Sequence, residues 1–281
     1  MAKIVGVHGI AQQVKGPEVV KKDWLPALRD GLTLADGPPI NDDDVSIAFY
    51  GDLFRPSGKK AGPLPAFEAS DVKDEFELEL LALWWREAAE QDVRVTAPGA
   101  RTKARTPALA QRALNALSRS SFFAGLAERA LIWDLRQVRL YLNDAGLRTK
   151  IQERMAKAVG ADTRVIVAHS LGSVAAYEAL CAHPEWRVKT LVTLGSPLGI
   201  SNLVFHRLQP APVNGIGAFP PVENWTNICD RGDVVALIKE ISKLFGGRGQ
   251  DVIVHNGSKA HDISPYLTAR ETGFAIATGL N

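Results

Sequence analysis

The chain has few cysteines and no long apolar run. Its 281 residues include only two cysteines, Cys181 and Cys229, too few for a disulfide framework, or for a zinc site without several histidines at matching spacing. No apolar run approaches the roughly 18 residues that a membrane-spanning helix needs. We therefore expect two reduced, buried thiols and no transmembrane segment.

The charge shows no excess of either sign. Lysine and arginine number 33 against 31 aspartates and glutamates, a formal charge of +2, which gives no reason to expect nucleic-acid binding. The first residues lead straight into the apolar run at Ile4, without the basic and apolar regions of a signal peptide. We therefore expect a cytoplasmic location.

Short β-branched runs alternate with segments of helical periodicity. Strands are predicted at residues 4–7, 45–50, 164–168, 188–194, 225–229 and 251–255, and helices at 17–32, 172–182, 234–244 and 264–277. Near-continuous Val, Ile and Leu strands separated by helices favour a parallel sheet covered on both faces. The sequence therefore predicts an α/β fold with a mainly parallel sheet of about six strands.

The alternation stops between residues 52 and 146. Two loose stretches rich in proline, glycine and basic residues (55–66 and 96–107) are interspersed with predicted helices at 72–90, 109–117, 122–131 and 138–158. We interpret this region as a helical, cap-like insertion within a single domain of residues 1–281. The basic side chains of residues 94–112 favour a solvated linker, with contact to anionic lipid as the weaker alternative.

A serine lies where an apolar strand meets a helix. In Val165-Ile-Val-Ala-His-Ser-Leu-Gly-Ser173, Ser170 has a small residue two positions before it, Ala168, and another two positions after it, Gly172. Such a turn holds the serine in a strained conformation with its hydroxyl beyond the sheet, where bulky neighbours would clash. In a second interpretation, Ser170 is only the N-cap of the helix.

The segment Ala168-His-Ser-Leu-Gly172 resembles the nucleophile elbow of the α/β-hydrolase superfamily, in particular its lipase- and esterase-like members. It departs from the usual pattern by having Ala168 where glycine is common. The resemblance covers essentially the whole chain apart from the insertion. It implies an α/β-hydrolase fold, Ser170 as nucleophile, and the chain order nucleophile, acid, histidine.

The resemblance also implies an acid and a base further along the chain. Asp233, just before Val-Val-Ala, matches the acid-bearing turn, and Asp230 is its competitor; either could instead cap the predicted helix at 234. His261 fits the loop between the last strand and the last helix, whereas His255 belongs to the strand. His169 is interpreted as a packed neighbour of the elbow.

The opening segment Val5-Gly-Val-His-Gly-Ile10 resembles the His-Gly loop that follows a core strand in many lipases. That resemblance puts the backbone amides of Ile10 and Leu171 around a developing oxyanion, with Gly9 allowing close approach of the backbone. Gly195-Ser-Pro-Leu-Gly199 is similar to a segment that lines the rim of the site in lipase-like proteins.

The implied function is that of a serine hydrolase that cleaves carboxylic esters through Ser170, His261 and Asp233 and an acyl-enzyme intermediate. This chemistry needs no metal or organic cofactor. The expected partner is a small-molecule or lipid ester, and peripheral contact with a membrane is the further partner considered. A thioesterase or acyltransferase with the same residues, a peptidase, and a non-catalytic binding protein remain alternatives.

Overall fold

Six strands form one sheet in which every neighbouring pair is parallel. The computed structural model describes residues 2–55, 67–99, 107–120 and 128–281. Across these residues the order of strands in the sheet is β2-β1-β3-β4-β5-β6, which confirms the predicted α/β class and six-stranded parallel sheet. The strands are β1 (Ile4–Val7), β2 (Val45–Ile47), β3 (Val165–His169), β4 (Thr190–Leu194), β5 (Asn224–Asp230) and β6 (Gln250–Val254).

Helices cover both faces of the sheet. They are α1 (Pro17–Leu34), α2 (Glu75–Gln91), α3 (Pro107–Leu117), α4 (Glu128–Asn143), α5 (Ala145–Ala158), α6 (Leu171–Ala182), α7 (Ile263–Thr268) and α8 (Arg270–Leu280). Successive strand residues point to opposite faces. Val165 and Val167 therefore join the apolar cluster of α1, α7 and α8, whereas Ile166 and Ala168 join the larger cluster of α2 to α6.

The helices α2, α3 and α4 belong to the predicted insertion. Their buried side chains, such as Trp84, Leu114 and Leu135, form one continuous cluster with the sheet residues Val5 and Val7. The loose stretches 55–66 and 96–107, and the first part of the predicted helix 122–131, lie largely outside the described residues. The insertion boundaries at 52 and 146 stay a prediction.

The single helix predicted at residues 138–158 is wrong, because two helices share that segment. Helix α4 ends at Asn143, and the side chain of Asp144 accepts a hydrogen bond from the Leu147 amide at 2.9 Å. This is an N-cap contact, which satisfies a free amide at the start of α5. A similar break at Ala269, whose ψ is 135°, divides the predicted final helix 264–277 into α7 and α8.

The helix predicted at residues 234–244 is also wrong. The segment is irregular and ends in a 3₁₀ turn at Ser242–Phe245. Asp251, which lies outside the segment, accepts from the amides of Ile241 and Ser242, and a helix over 234–244 would have paired these amides internally. The contact of Asp233 with the Val235 amide is an N-cap contact and does not oppose a helix. Val234, Val235, Ala236 and Ile241 are nevertheless buried, whereas Ile238 is exposed. The apolar spacing therefore reports partial burial without a helix.

Two sequence expectations concern the cysteines and the membrane. Both cysteines are free, and Cys229 is buried as expected, but Cys181 is only half-buried. Among the helices that the structure describes, none combines the length and the apolar character needed to cross a bilayer.

Candidate active site

Three predicted side chains meet beyond the same edge of the sheet. Ser170 follows β3 directly, Asp233 lies in the turn after β5, and His261 lies in the loop after β6. Because all six strands are parallel, their carboxyl ends share one edge, where open α/β sheets bind ligands. His261 Nε2 lies 3.0 Å from Ser170 Oγ, and His261 Nδ1 lies 2.8 Å from Asp233 Oδ2.

The backbone of Ser170 has a conformation that side-chain-bearing residues rarely adopt. Its φ is 52° and its ψ is −130°, a strain that costs on the order of 1–3 kcal/mol. The turn is tight, since a Cβ added to Gly172 would lie 2.4 Å from the carbonyl oxygen of His8. The Ser170 side chain makes no capping hydrogen bond to α6, so the alternative role as a side-chain N-cap is not realised.

Asp233 is completely buried and has four hydrogen-bond partners. Oδ1 accepts from the amides of Val235 and Ala236 at 2.9 and 3.3 Å, and Oδ2 accepts from His261 and from the Tyr266 hydroxyl at 2.8 Å. Burial opposes ionisation of Asp233, but His261 and these donors outweigh it and hold the pKa of its carboxyl below the usual value.

The ionised carboxylate determines the tautomer of His261. A carboxylate oxygen can only accept a hydrogen bond, so Nδ1 of His261 must carry a proton and donate it to Asp233. In the neutral ring Nε2 is then an acceptor directed at the Ser170 hydroxyl. This is the arrangement in which a histidine can take the proton of a serine.

Asp230, the competing acid, has a different role. Its Oδ1 accepts from the Gly232 amide at 2.6 Å, and its Oδ2 accepts from the Asn256 amide. These contacts tie the turn after β5 to the loop after β6. The Tyr266 hydroxyl accepts from the Asp230 amide at 2.7 Å while it donates to Asp233, so the two aspartates are joined through this tyrosine.

The loop after β1 packs directly against the serine. A Cβ added to Gly9 would lie 2.7 Å from Ser170 Cβ. The Tyr50 amide donates to His8 Nε2 at 3.1 Å. His8 Nδ1 therefore carries the proton and donates to Gly9 O at 2.7 Å. In a trans peptide the N–H points opposite to the C=O, so this bond also orients the Ile10 amide.

Two further observations concern the two amides of the predicted oxyanion hole. Burial lowers the pKa of His8 to about 4, so its ring stays neutral and keeps this tautomer near neutral pH. Leu171 is the first residue of α6, where a backbone N–H has no acceptor within the helix. The structure therefore leaves the Leu171 amide beside Ser170 without a helical partner, as the predicted role requires.

His169 contacts His261 through a hydrogen bond and through packing of the two rings. Its Nε2–H donates to the carbonyl oxygen of His261 at 2.9 Å, and the two ring centroids are 4.6 Å apart. Burial, assisted by the neighbouring His261, lowers the pKa of His169 to about 3. The interpretation of His169 as a neutral, packed neighbour of the elbow agrees with these contacts.

Gly195 lies closer to the site than its predicted place at the rim. Its φ is +54°, and an added Cβ would lie 2.7 Å from Asp233 Oδ2 and 3.0 Å from His261 Nδ1. Sequence reasoning missed this contact and that of Tyr266. The strand-end position of Gly195 was a usable signal, whereas no local pattern distinguishes Tyr266 from other core tyrosines.

The side chains of the site are largely buried. Ser170 is 2% exposed, and the His261 side chain is 20% exposed. The described residues contain no group of three or more His, Cys, Asp or Glu side chains that could hold a metal ion. Comparison of the chain with protein-family models, curated proteins and solved structures gives no match.

Proposed function

We propose that this protein is a serine hydrolase of the α/β-hydrolase superfamily that cleaves carboxylic esters. The observation that carries the proposal is the continuous hydrogen-bonded chain from Ser170 Oγ through the His261 ring to Asp233 Oδ2, at 3.0 and 2.8 Å. The strained conformation of Ser170 and the parallel sheet beneath it support the same proposal.

In the proposed reaction, His261 Nε2 takes the proton of Ser170 as Oγ attacks the ester carbonyl carbon. The carbonyl oxygen becomes an oxyanion, which the amides of Ile10 and Leu171 stabilise; each such donor contributes on the order of 10²–10³ in rate. Asp233 stabilises the imidazolium that forms.

The tetrahedral intermediate then collapses, the bond to the alcohol breaks, and His261 returns the proton to the leaving oxygen. Water, activated by His261, attacks the acyl-enzyme in the same manner and releases the carboxylic acid with free Ser170. Each charge that forms in this scheme is stabilised by a side chain or backbone amide described above.

The proposed substrate is a small-molecule or lipid ester. A fluorophosphonate probe and p-nitrophenyl esters of graded chain length test the proposal directly. We expect a covalent adduct on Ser170 and turnover of the esters, with Ser170→Ala reducing kcat on the order of 10⁶-fold. An unlabelled serine together with no turnover would point to a binding protein on this fold, and transfer to an added alcohol would point to an acyltransferase.

A further inference from the structure

Gln137 of helix α4 reaches from the insertion to the loop after β1. The amide of Ala11 donates to Gln137 Oε1 at 3.3 Å, across 126 positions of the chain. The Gln137 side chain is buried, at 1% exposure. Ala11 immediately follows Ile10, whose amide is the proposed oxyanion donor, so this contact lies one peptide unit from that amide.

The contact completes the restraint of two successive peptide units. His8 holds the carbonyl of the Gly9–Ile10 unit. In the next unit, Gln12 Nε2 donates to Ile10 O at 3.3 Å, and Gln137 accepts from the Ala11 amide. His8 and Gln12 come from the loop region itself, whereas Gln137 comes from a separate helix.

The backbone of Ala11 needs such a restraint. Its φ is +63°, in the left-handed region where alanine is disfavoured by about 1–2 kcal/mol. Without an acceptor for its amide, the loop could relax toward an ordinary conformation and turn the neighbouring Ile10 amide away from Ser170. A hydrogen bond from a buried side chain opposes this relaxation, at about 1 kcal/mol for a typical bond.

We propose that Gln137 is a positioning residue that holds the Ile10 amide in place for oxyanion stabilisation, a role that rests on the proposed function. Through this side chain the helical insertion contributes to the reaction without touching the ester. Stabilisation of the transition state depends on this alignment more than binding of the ester does, because the negative charge on the carbonyl oxygen is larger in the transition state.

The Nε2 group of Gln137 indicates that this side chain does not serve mainly to stabilise the fold. Its Nε2 is buried and has no hydrogen-bond partner among the described residues, a cost of about 1–3 kcal/mol. Gln152 of α5, by contrast, donates from Nε2 to Tyr141 Oη at 2.8 Å and to Ala175 O at 3.1 Å. The stabilising bonds of Gln152 make it a matched control.

The test compares Gln137→Met with Gln152→Met, using kcat per active site titrated with the fluorophosphonate. Methionine keeps the length of the side chain but removes the acceptor. For Gln137→Met we expect kcat and kcat/KM to fall together by about tenfold to a hundredfold, a share of the effect of one oxyanion donor. The KM should change less than about twofold. Gln152→Met should lower stability and leave kcat per titrated site unchanged.

Gln137→Asn provides a second variant that stays polar but withdraws the carbonyl oxygen by one carbon–carbon bond, and it should show the same loss. Wild-type kcat per titrated site in both variants, with reduced thermal stability alone, would overturn the positioning role. Failure of the proposed function is a separate result, because it would appear in the unmodified protein as no adduct and no turnover.

Discussion

Replacing each of the two aspartates after β5 by asparagine separates the proposed catalytic contact from a structural one. In Asp233→Asn, the side-chain oxygen is expected to keep facing the amides of Val235 and Ala236, which donate to Oδ1 in the native protein. The new NH₂ group then occupies the place of Oδ2 and donates toward His261 Nδ1. The ring must respond by moving its proton to Nε2, which leaves no acceptor for the Ser170 hydroxyl.

The expected size of this effect follows from the tautomer. An Asp-to-Asn change that traps a catalytic histidine in the wrong tautomer lowers kcat by about 10⁴-fold, equivalent to about 5 kcal/mol of transition-state stabilisation. In Asp230→Asn, the remaining oxygen can satisfy only one of the Gly232 and Asn256 amides. Leaving the other amide unpaired costs about 1–3 kcal/mol of folding stability, with His261 untouched.

The assay is turnover of a short p-nitrophenyl ester, normalised to titrated active sites, alongside urea unfolding of both variants. Asp233→Asn should lose activity and also unfold at lower urea, because the new NH₂ group cannot accept from the Tyr266 hydroxyl. Asp230→Asn should unfold at lower urea but retain kcat within about tenfold, less than the cost of one oxyanion donor. The opposite pattern, with activity lost only in Asp230→Asn, would refute the assignment of the acid.

Two further predictions concern Gly195 and the buried histidines. Gly195→Ala should lower kcat by more than about 10²-fold, as misplaced catalytic groups do, because the new Cβ would press on Asp233 and His261. Gly215→Ala, also at positive φ but with open space around it, should cost only about 1–2 kcal/mol of stability. Equal kcat losses in both variants would contradict this. Burial lowers the pKa of His8 and His169 from 6.5 to about 4 and 3, so the unfolded chain binds more protons below pH 6.5. The free energy of unfolding should therefore fall between pH 7 and pH 5 by about 2 kcal/mol per histidine. Urea titrations at pH 7 and pH 5 measure this change in the free energy of unfolding. His169→Gln should lose about half of the change, and equal stability of the unmodified protein at the two pH values would refute the prediction.

The sequence alone was sufficient for features set by neighbouring residues. The small residues around Ser170 predict a tight strand-to-helix turn, and the structure has that turn. The alternation of β-branched runs with helical periodicity predicts the parallel sheet, because each pattern reports which side chains of one element are buried. His261 was implied by the family resemblance and not by a local pattern, and the structure brings it to the serine.

Local sequence patterns predicted the wrong secondary structure where a distant side chain accepts hydrogen bonds from backbone amides. Residues 234–244 have the apolar spacing of a helix, but Asp251 accepts the amides of Ile241 and Ser242 and keeps the end of the segment irregular. Asp251 lies ten positions from the amide of Ile241, beyond the range of any turn or cap signal. Periodicity reports burial, and burial is compatible with irregular backbone when other groups satisfy its hydrogen bonds.

Only the tertiary structure decided which groups meet at the site. The sequence favoured Asp233 over Asp230 only through the family resemblance, and the hydrogen bond of Asp233 to His261, 28 positions away, separates them. Tyr266 and Gln137 have no local signature, since their importance comes from atoms 33 and 126 positions away in the chain. Spacing within a few residues specifies local geometry, whereas contacts between remote side chains depend on how the sheet and helices pack together.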